Sequence, residues 1–334
     1  MPHTRKITFR LLAVLLGLVL AFIILETAAR LMGPEYYRFN NRSHEYYTNP
    51  RGYHHIVRMD GETPVYGLDY NFAREKYRLP PGAPKNYLDG KRFDVLGLGD
   101  SFMTGAGVKY EDVCFRRLEK MFKEEGRDLK IKNCAVPGVN LGHISSICAH
   151  ELSLQPYPLV IYGFVLNDLG LPGRESITGS DFIDQNNGEN QYNPWRKRLA
   201  CVNLAASLIE KIRLNTQTTR AYLDAYEPDY AGPRLDILES MAKEVEGRGG
   251  RMVLVLFPLL YDFDNYRFEK CHALLRDFAT NKGIPVLDLL PAFSQHKARD
   301  LWVNPTDHHP NELAHAIAAR EIFRFLNQEN LPPM

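Results

Sequence analysis

The 334-residue sequence lacks the marks of a nucleic-acid binder, a metal protein or a disulfide scaffold. Its 41 Lys and Arg nearly cancel 40 Asp and Glu, and a net charge of +1 gives no sign of a nucleic-acid partner or of strong electrostatic steering. Cysteine is sparse and odd in number: Cys114, Cys134, Cys148, Cys201 and Cys271, none in CxxC or other metal-ligand spacing. Such residues are expected as buried apolar filler rather than a disulfide framework, although a single bridge stays open. The pairs His54-His55 and His308-His309 are explained as loop residues, so no metal and no other cofactor is expected. Internal repeats and low-complexity tracts are absent.

One long apolar run is present. Leu11 to Leu25 is uninterrupted for 15 residues. With Ile7 to Phe9 added, and Arg10 snorkelling to the headgroups, it reaches the ~20 residues that a membrane span requires. Arg5, Lys6 and Arg10 precede it, and only Glu26 and Arg30 follow closely. The positive-inside bias then keeps the N-terminus in the cytoplasm and puts the rest outside the cytoplasmic membrane. Residues 1–30 are therefore expected as an uncleaved signal-anchor. The rival is a cleaved signal peptide: Thr27-Ala-Ala29 offers small residues, whereas Glu26 and the length of the run argue for retention. A buried core helix is a third reading, since the run has no polar face.

Residues 31–90, rich in Tyr, Pro, Asn and Arg, read as an irregular connector with short strands near Ile56–Met59 and Thr63–Tyr66. Leu79-Pro-Pro-Gly-Ala-Pro84 forms a turn-rich boundary. From residue 91 to about 330 a βα alternation sets in. Strands are expected at Phe93–Leu98, Lys130–Ala135, Leu159–Phe164, Met252–Phe257 and Pro285–Leu289, and helices at Glu111–Glu125, Gly142–Ser153, Leu235–Gly247, Phe268–Lys282 and Asn311–Leu326. Five strands each followed by a helix imply an α/β domain whose parallel sheet is covered on both faces. An insertion at about 170–233 interrupts the alternation. Its first half reads as a loop, and Leu199–Arg213 has helical spacing.

Parallel sheets present ligands at the carboxyl ends of their strands. Gly99-Asp100-Ser101 ends the first strand, so Ser101 stands where a nucleophile would be offered, although Asp100-Ser101 also fits a helix cap. Asp307 and His309 are two apart in the loop before the last helix, a spacing that lets a carboxylate fix the imidazole tautomer and free Nε2 as a base. His308 competes for that role. Pro310 stiffens the loop and Asn311 can cap the helix. Gly138 after the second strand and Asn167 after the third offer a backbone N–H and an amide, which with the Ser101 N–H would make a three-donor oxyanion hole. Separately, each is simply explained as a turn residue. The sheet is expected to bring the ends of strands one and five together, with strands two and three supplying the donors. Asp100 and Asp168 are expected as hydrogen-bonding supports rather than acids of the chemistry.

Gly99-Asp100-Ser101-Phe102, then Gly138, then Gly163…Asn167-Asp168, then Asp307-x-His309-Pro310-Asn311 resemble, in order, the four blocks of the SGNH (GDSL-type) hydrolase superfamily over residues ~91–328. The resemblance implies a flavodoxin-like three-layer α/β/α sandwich. It also implies Ser101 as nucleophile, His309 as base, Asp307 as its orienting acid, and Ser101, Gly138 and Asn167 as oxyanion donors. Phe102 replaces the commoner Leu, and Gly163 lies four residues before Asn167 instead of two, which puts Gly163 in doubt as a motif member. Met103 two after Ser101 rules out the Gly-x-Ser-x-Gly elbow of ordinary α/β-hydrolases. The expected activity is acyl-ester hydrolysis, by analogy on an O-acetyl group of an envelope or exported glycan, with lipid esters and thioesters open. An O-acyltransferase using the same residues is the alternative. From another class, so is a non-catalytic envelope glycan-binding or scaffold protein.

Overall fold

The computed structural model describes residues 2–32, 46–48, 54–60, 63–66, 71–72, 77–170, 199–202, 219–304 and 307–331. The chain divides into two compact units, Met1–Glu45 with Asp181–Thr218, and Tyr46–Ser180 with Thr219–Met334.

In the first unit, helix α1 (Pro2–Met32) contains a 24-residue apolar stretch, Thr8–Leu31, in which an 18-residue window has a mean hydropathy of 2.6. It is long and apolar enough to cross a membrane. Near its end the Glu26 carboxylate accepts from the Ala200 and Cys201 N–H groups, both at 2.9 Å, and from Arg30 Nε at 2.8 Å. The first of these contacts satisfy orphan donors at the start of helical residues 200–202. The remainder of the helix expected at Leu199–Arg213 lies outside the described residues.

The second unit opens with two small antiparallel sheets. Strands β1 (Tyr46–Thr48), β2 (His54–Asp60) and β3 (Thr63–Tyr66) form one, and β4 (Asn71–Phe72) and β5 (Arg78–Leu79) the other. The stretch expected as an irregular connector is thus partly sheet, with β2 and β3 where short strands were expected.

The main sheet comprises β6 (Val95–Gly99), β7 (Ile131–Asn133), β8 (Leu159–Val165), β9 (Arg251–Phe257) and β10 (Val286–Asp288). All pairings are parallel, in the spatial order β10-β9-β8-β6-β7. Every residue of β6 and β8 is buried, as a sheet covered on both faces demands. The helices of this unit include α2 (Ser101–Thr104), α3 (Cys114–Glu124), α4 (Leu141–Leu154), α5 (Pro228–Gly247), α6 (Glu269–Asn281), α7 (Leu290–Phe293) and α8 (Glu312–Gln328). Right-handed crossovers put α3 on one face and α4, α5 and α6 on the other. The last helix, α8, returns to pack on α3, where the Phe122 and Phe323 rings meet at 4.9 Å. The result is a flavodoxin-like three-layer sandwich whose strand order reverses between β6 and β8. That switch point is where open α/β sheets bind ligands.

Three expectations are corrected. The ends of strands one and five are not brought together: β8 and β9 separate β6 from the edge strand β10. The helix expected at Glu111–Glu125 begins at Cys114, after a separate 3-10 turn at Tyr110–Asp112, because Val113 is extended. Helix α5 starts at Pro228 rather than Leu235, with Pro228 in its first turn and Pro233 accommodated inside it. All five cysteines are free thiols, four of them buried and Cys201 half-buried.

Candidate active site

The chain turns sharply where β6 ends. Gly99 has φ +151°, and a Cβ there would lie 2.5 Å from Met103 Cγ and 2.9 Å from the Gly163 carbonyl oxygen. Gly163 is its neighbour in register on β8, where a Cβ would come within 2.4 Å of Met103 Cγ and Sδ. The paired glycines make the seat for the buried Met103 side chain, which pins α2 onto the strand ends. Gly163 therefore has a packing role, whatever its place in a motif. Asp100 caps α2 by accepting from Phe102 N–H at 2.9 Å, leaving Ser101 as the first helical residue.

The histidine arrives from the far end of the sequence on a hairpin, β11 (Trp302–Asn304) and β12 (Asp307–Pro310). Its entry is fixed on the way, since Trp302 Nε1 donates to the Leu260 carbonyl, beyond the end of β9, at 2.6 Å. Its exit is clamped by buried Asn311. That side chain donates to the Asp300 and Trp302 carbonyls and accepts from the Leu313 and Ala314 N–H groups, capping α8. Between these clamps His309 Nε2 lies 2.9 Å from Ser101 Oγ, across 208 residues of sequence. The Phe102 ring meets the imidazole edge-on at 5.7 Å. Alternation along a strand sends His308 to the other side. There it stacks on Trp302 at 3.9 Å and meets Tyr261 edge-on at 5.5 Å. Asp307 opens β12 opposite Asn304; its carboxylate lies outside the described residues.

Asn167 sits in the 3-10 turn Leu166–Leu169 that follows β8, and its Nδ2 donates to Asp100 Oδ2 at 3.1 Å. One carboxylate thus holds both the start of the Ser101 helix and the Asn167 amide. Gly138, with φ +75°, is exposed in the turn after β7. Two groups carry that segment alongside β6. Val136 N–H donates to the Gly99 carbonyl at 3.1 Å, and Asn133 Nδ2 donates to the Met103 carbonyl at 2.9 Å. Asn133 and Arg78 went unmarked in the sequence, and Met103 was marked only as breaking the Gly-x-Ser-x-Gly elbow. A polar side chain closing a strand was the signal for Asn133, and a charged residue between apolar ones, Tyr77-Arg78-Leu79, was that for Arg78.

Burial dominates the electrostatics. The Asp100 carboxyl is pushed above its ordinary range by burial, and the Phe102 N–H, the Asn167 amide and nearby His309 oppose that rise. Asp168 is pushed well above it by burial and then by the Asp100 charge, while its Oδ2 accepts from Val165 N–H at 3.1 Å and Tyr162 OH at 2.9 Å. His315, on α8, is lowered to about 3, first by burial and then by Arg78, Arg117 and His309. It is a neutral acceptor for the Cys114 N–H at 3.2 Å.

No family model and no curated protein matches the sequence. Solved structures do. The chain is similar to TesA, at 14% identity over 70% of this chain and 98% of that one, with a TM-score of 0.45. It is similar to the psychrotrophic esterase EstA from Pseudoalteromonas sp., at 12% identity over 71% and 97%, with a TM-score of 0.42. It is also similar to Axe2, an acetylxylan esterase from Geobacillus stearothermophilus, at 13% identity over 71% and 95%, with a TM-score of 0.45. In this chain itself, a serine hydroxyl and an imidazole meet in hydrogen-bond contact at the switch point of a parallel sheet.

Proposed function

We propose that the chain is a membrane-anchored serine esterase that hydrolyses acyl esters, an O-acetyl group on an extracytoplasmic glycan being the preferred substrate. The observation that carries this reading is the 2.9 Å contact between Ser101 Oγ and His309 Nε2. A hydroxyl is a weak nucleophile until a base takes its proton, and this base is within reach. Ser101 Oγ attacks the ester carbonyl carbon as its proton passes to His309 Nε2. The Asp307 carboxylate accepts from Nδ1–H and stabilises the imidazolium. The tetrahedral oxyanion is held by the Ser101 and Gly138 N–H groups and by the Asn167 amide, which Asp100 orients. The intermediate collapses, the alcohol leaves with the proton from His309, and an acyl-enzyme remains. Water, deprotonated by the same imidazole, releases the acid and restores Ser101.

The location is read from α1. Arg5, Lys6 and Arg10 ahead of the apolar stretch favour a retained anchor with the catalytic domain, residues 91–330, outside the cytoplasm, where envelope glycans are met. Hydrolysis of p-nitrophenyl acetate and of acetylated glycans by the full chain in detergent provides the test. Ser101→Ala and His309→Ala each abolish turnover, whereas His308→Ala retains it. Activity that survives Ser101→Ala would sink the proposal.

A further inference from the structure

Arg78 lies on β5, ahead of the parallel sheet, and is only 4% exposed. A guanidinium stays charged, and taking a charge out of water is costly unless acceptors take its N–H groups. Here Nη1 donates to the Thr104 and Gly105 carbonyls at 3.0 and 2.7 Å, and a second nitrogen, Nη2, donates to the Val108 carbonyl at 2.6 Å. These are the carbonyls at the end of α2 and in the turn that leaves it. The N–H groups of the same peptides point the other way: Gly105 N and Ala106 N donate to the Ser101 carbonyl at 3.2 and 3.1 Å. Two peptide groups therefore stand between Arg78 and Ser101. Each has its oxygen on the guanidinium and its hydrogen on the nucleophile's own carbonyl, an arrangement in which each bond polarises the next. Gly105 leaves no room for a side chain beside the guanidinium. Its φ is +78°, and a Cβ there would lie 3.0 Å from Arg78 Nη1 and 2.5 Å from Val113 Cγ2.

We infer that Arg78 is a positioning residue for Ser101, holding the nucleophile's backbone through the 104–105 and 105–106 peptides so that Oγ meets His309. The inference rests on the esterase reading. It makes β5, a strand outside the βα alternation, part of the hydrolytic site. A lysine would not replace the arginine, because one ammonium cannot serve carbonyls on two sides as a planar fork does.

The test uses Arg78→Lys and Arg78→Ala in the full chain in detergent. A fluorophosphonate that labels Ser101 counts competent sites, and kcat for p-nitrophenyl acetate is expressed per labelled site. That ratio is blind to a variant that merely folds in lower yield. A displaced nucleophile lowers kcat per site about 10- to 100-fold with KM changed by no more than about threefold, and slows labelling in parallel. Methylguanidinium restores part of the rate to Arg78→Ala and none to wild type. If kcat per labelled site stays within about twofold of wild type in both variants, whatever the loss of thermal stability, Arg78 is a structural pin and the inference is overturned. If wild type is not labelled and Ser101→Ala hydrolyses as wild type does, the esterase reading falls and takes the inference with it.

Discussion

Exchanging Asp100 for Asn tests whether the capping carboxylate acts on chemistry through Asn167. The substitution keeps size and shape but turns one carboxylate oxygen into an NH2. The Phe102 N–H, 2.9 Å from Oδ1, requires an acceptor, so the remaining oxygen stays there. The new NH2 then takes the position 3.1 Å from Asn167 Nδ2, and two donors face each other. Asn167 relieves the conflict by turning its amide over. Its oxygen now accepts from the new NH2, and the donor proposed for the oxyanion is withdrawn. Losing one such donor costs about 10²–10³ in kcat, or about 3–4 kcal/mol of transition-state stabilisation, with KM little changed. Stability changes far less, because the cap bond and the contact to Asn167 both survive: about 1 kcal/mol, or about 2 °C in Tm for a chain of this size. Steady-state kinetics on p-nitrophenyl acetate with Asp100→Asn, Asn167→Ala and the double variant, alongside thermal unfolding, measure both. The singles fall equally and the double falls no further. Hydrolysis by Asp100→Asn within about threefold of wild type would refute the reasoning, as would a double variant that loses the product of the two single effects.

Two further outcomes are expected. Gly163→Ala forces Met103 from its seat and destabilises by about 1–3 kcal/mol. Combined with Met103→Ala, which alone costs about 2–5 kcal/mol, it costs less than the sum; additivity within about 0.5 kcal/mol in denaturant unfolding would dismiss the seat. Burial and the Asp100 charge raise the Asp168 pKa, so the folded chain holds a proton that the unfolded chain has released. Stability therefore falls as pH rises from the ordinary carboxylate range to the raised folded value, by about 1.4 kcal/mol per unit for one proton, and then levels off. Asp168→Asn keeps an acceptor for Val165 N–H and Tyr162 OH and removes that slope; urea midpoints with the same slope in both proteins would exclude Asp168 as its source.

The sheet was legible because Leu159 to Val165 and the residues around Leu96 and Leu98 are apolar runs ended by glycine or asparagine, a local signal. Ser101 and Asn167 stand where β6 and β8 give way to the turns that follow, positions that Gly99 and the polar pair Asn167-Asp168 mark locally. What stayed hidden depends on partners far away in sequence. Nothing near Cys114 says that its helix starts there, because the acceptor for its N–H is His315, 201 residues on. The apolar neighbours of Arg78 hint at burial but not at its partners, carbonyls that lie 26 to 30 residues downstream. Pro233 reads as a stop although α5 runs through it. The route of the histidine was mistaken because strand number suggests adjacency, whereas a hairpin crossing beyond the strand ends does the carrying.

On the esterase reading, the hairpin also sets when the protein can act. Chains are made from the N-terminus at roughly 5–20 residues per second, so the 208 residues between Ser101 and His309 separate their emergence by about 10–40 s. Throughout that interval the serine has no base and behaves as an ordinary alcohol. The last helix, α8, which docks on α3, must follow before the imidazole is held in place. On the esterase reading, a nascent chain crossing a membrane rich in acyl esters is inert by order of synthesis, and any chain that ends before its final helix stays so.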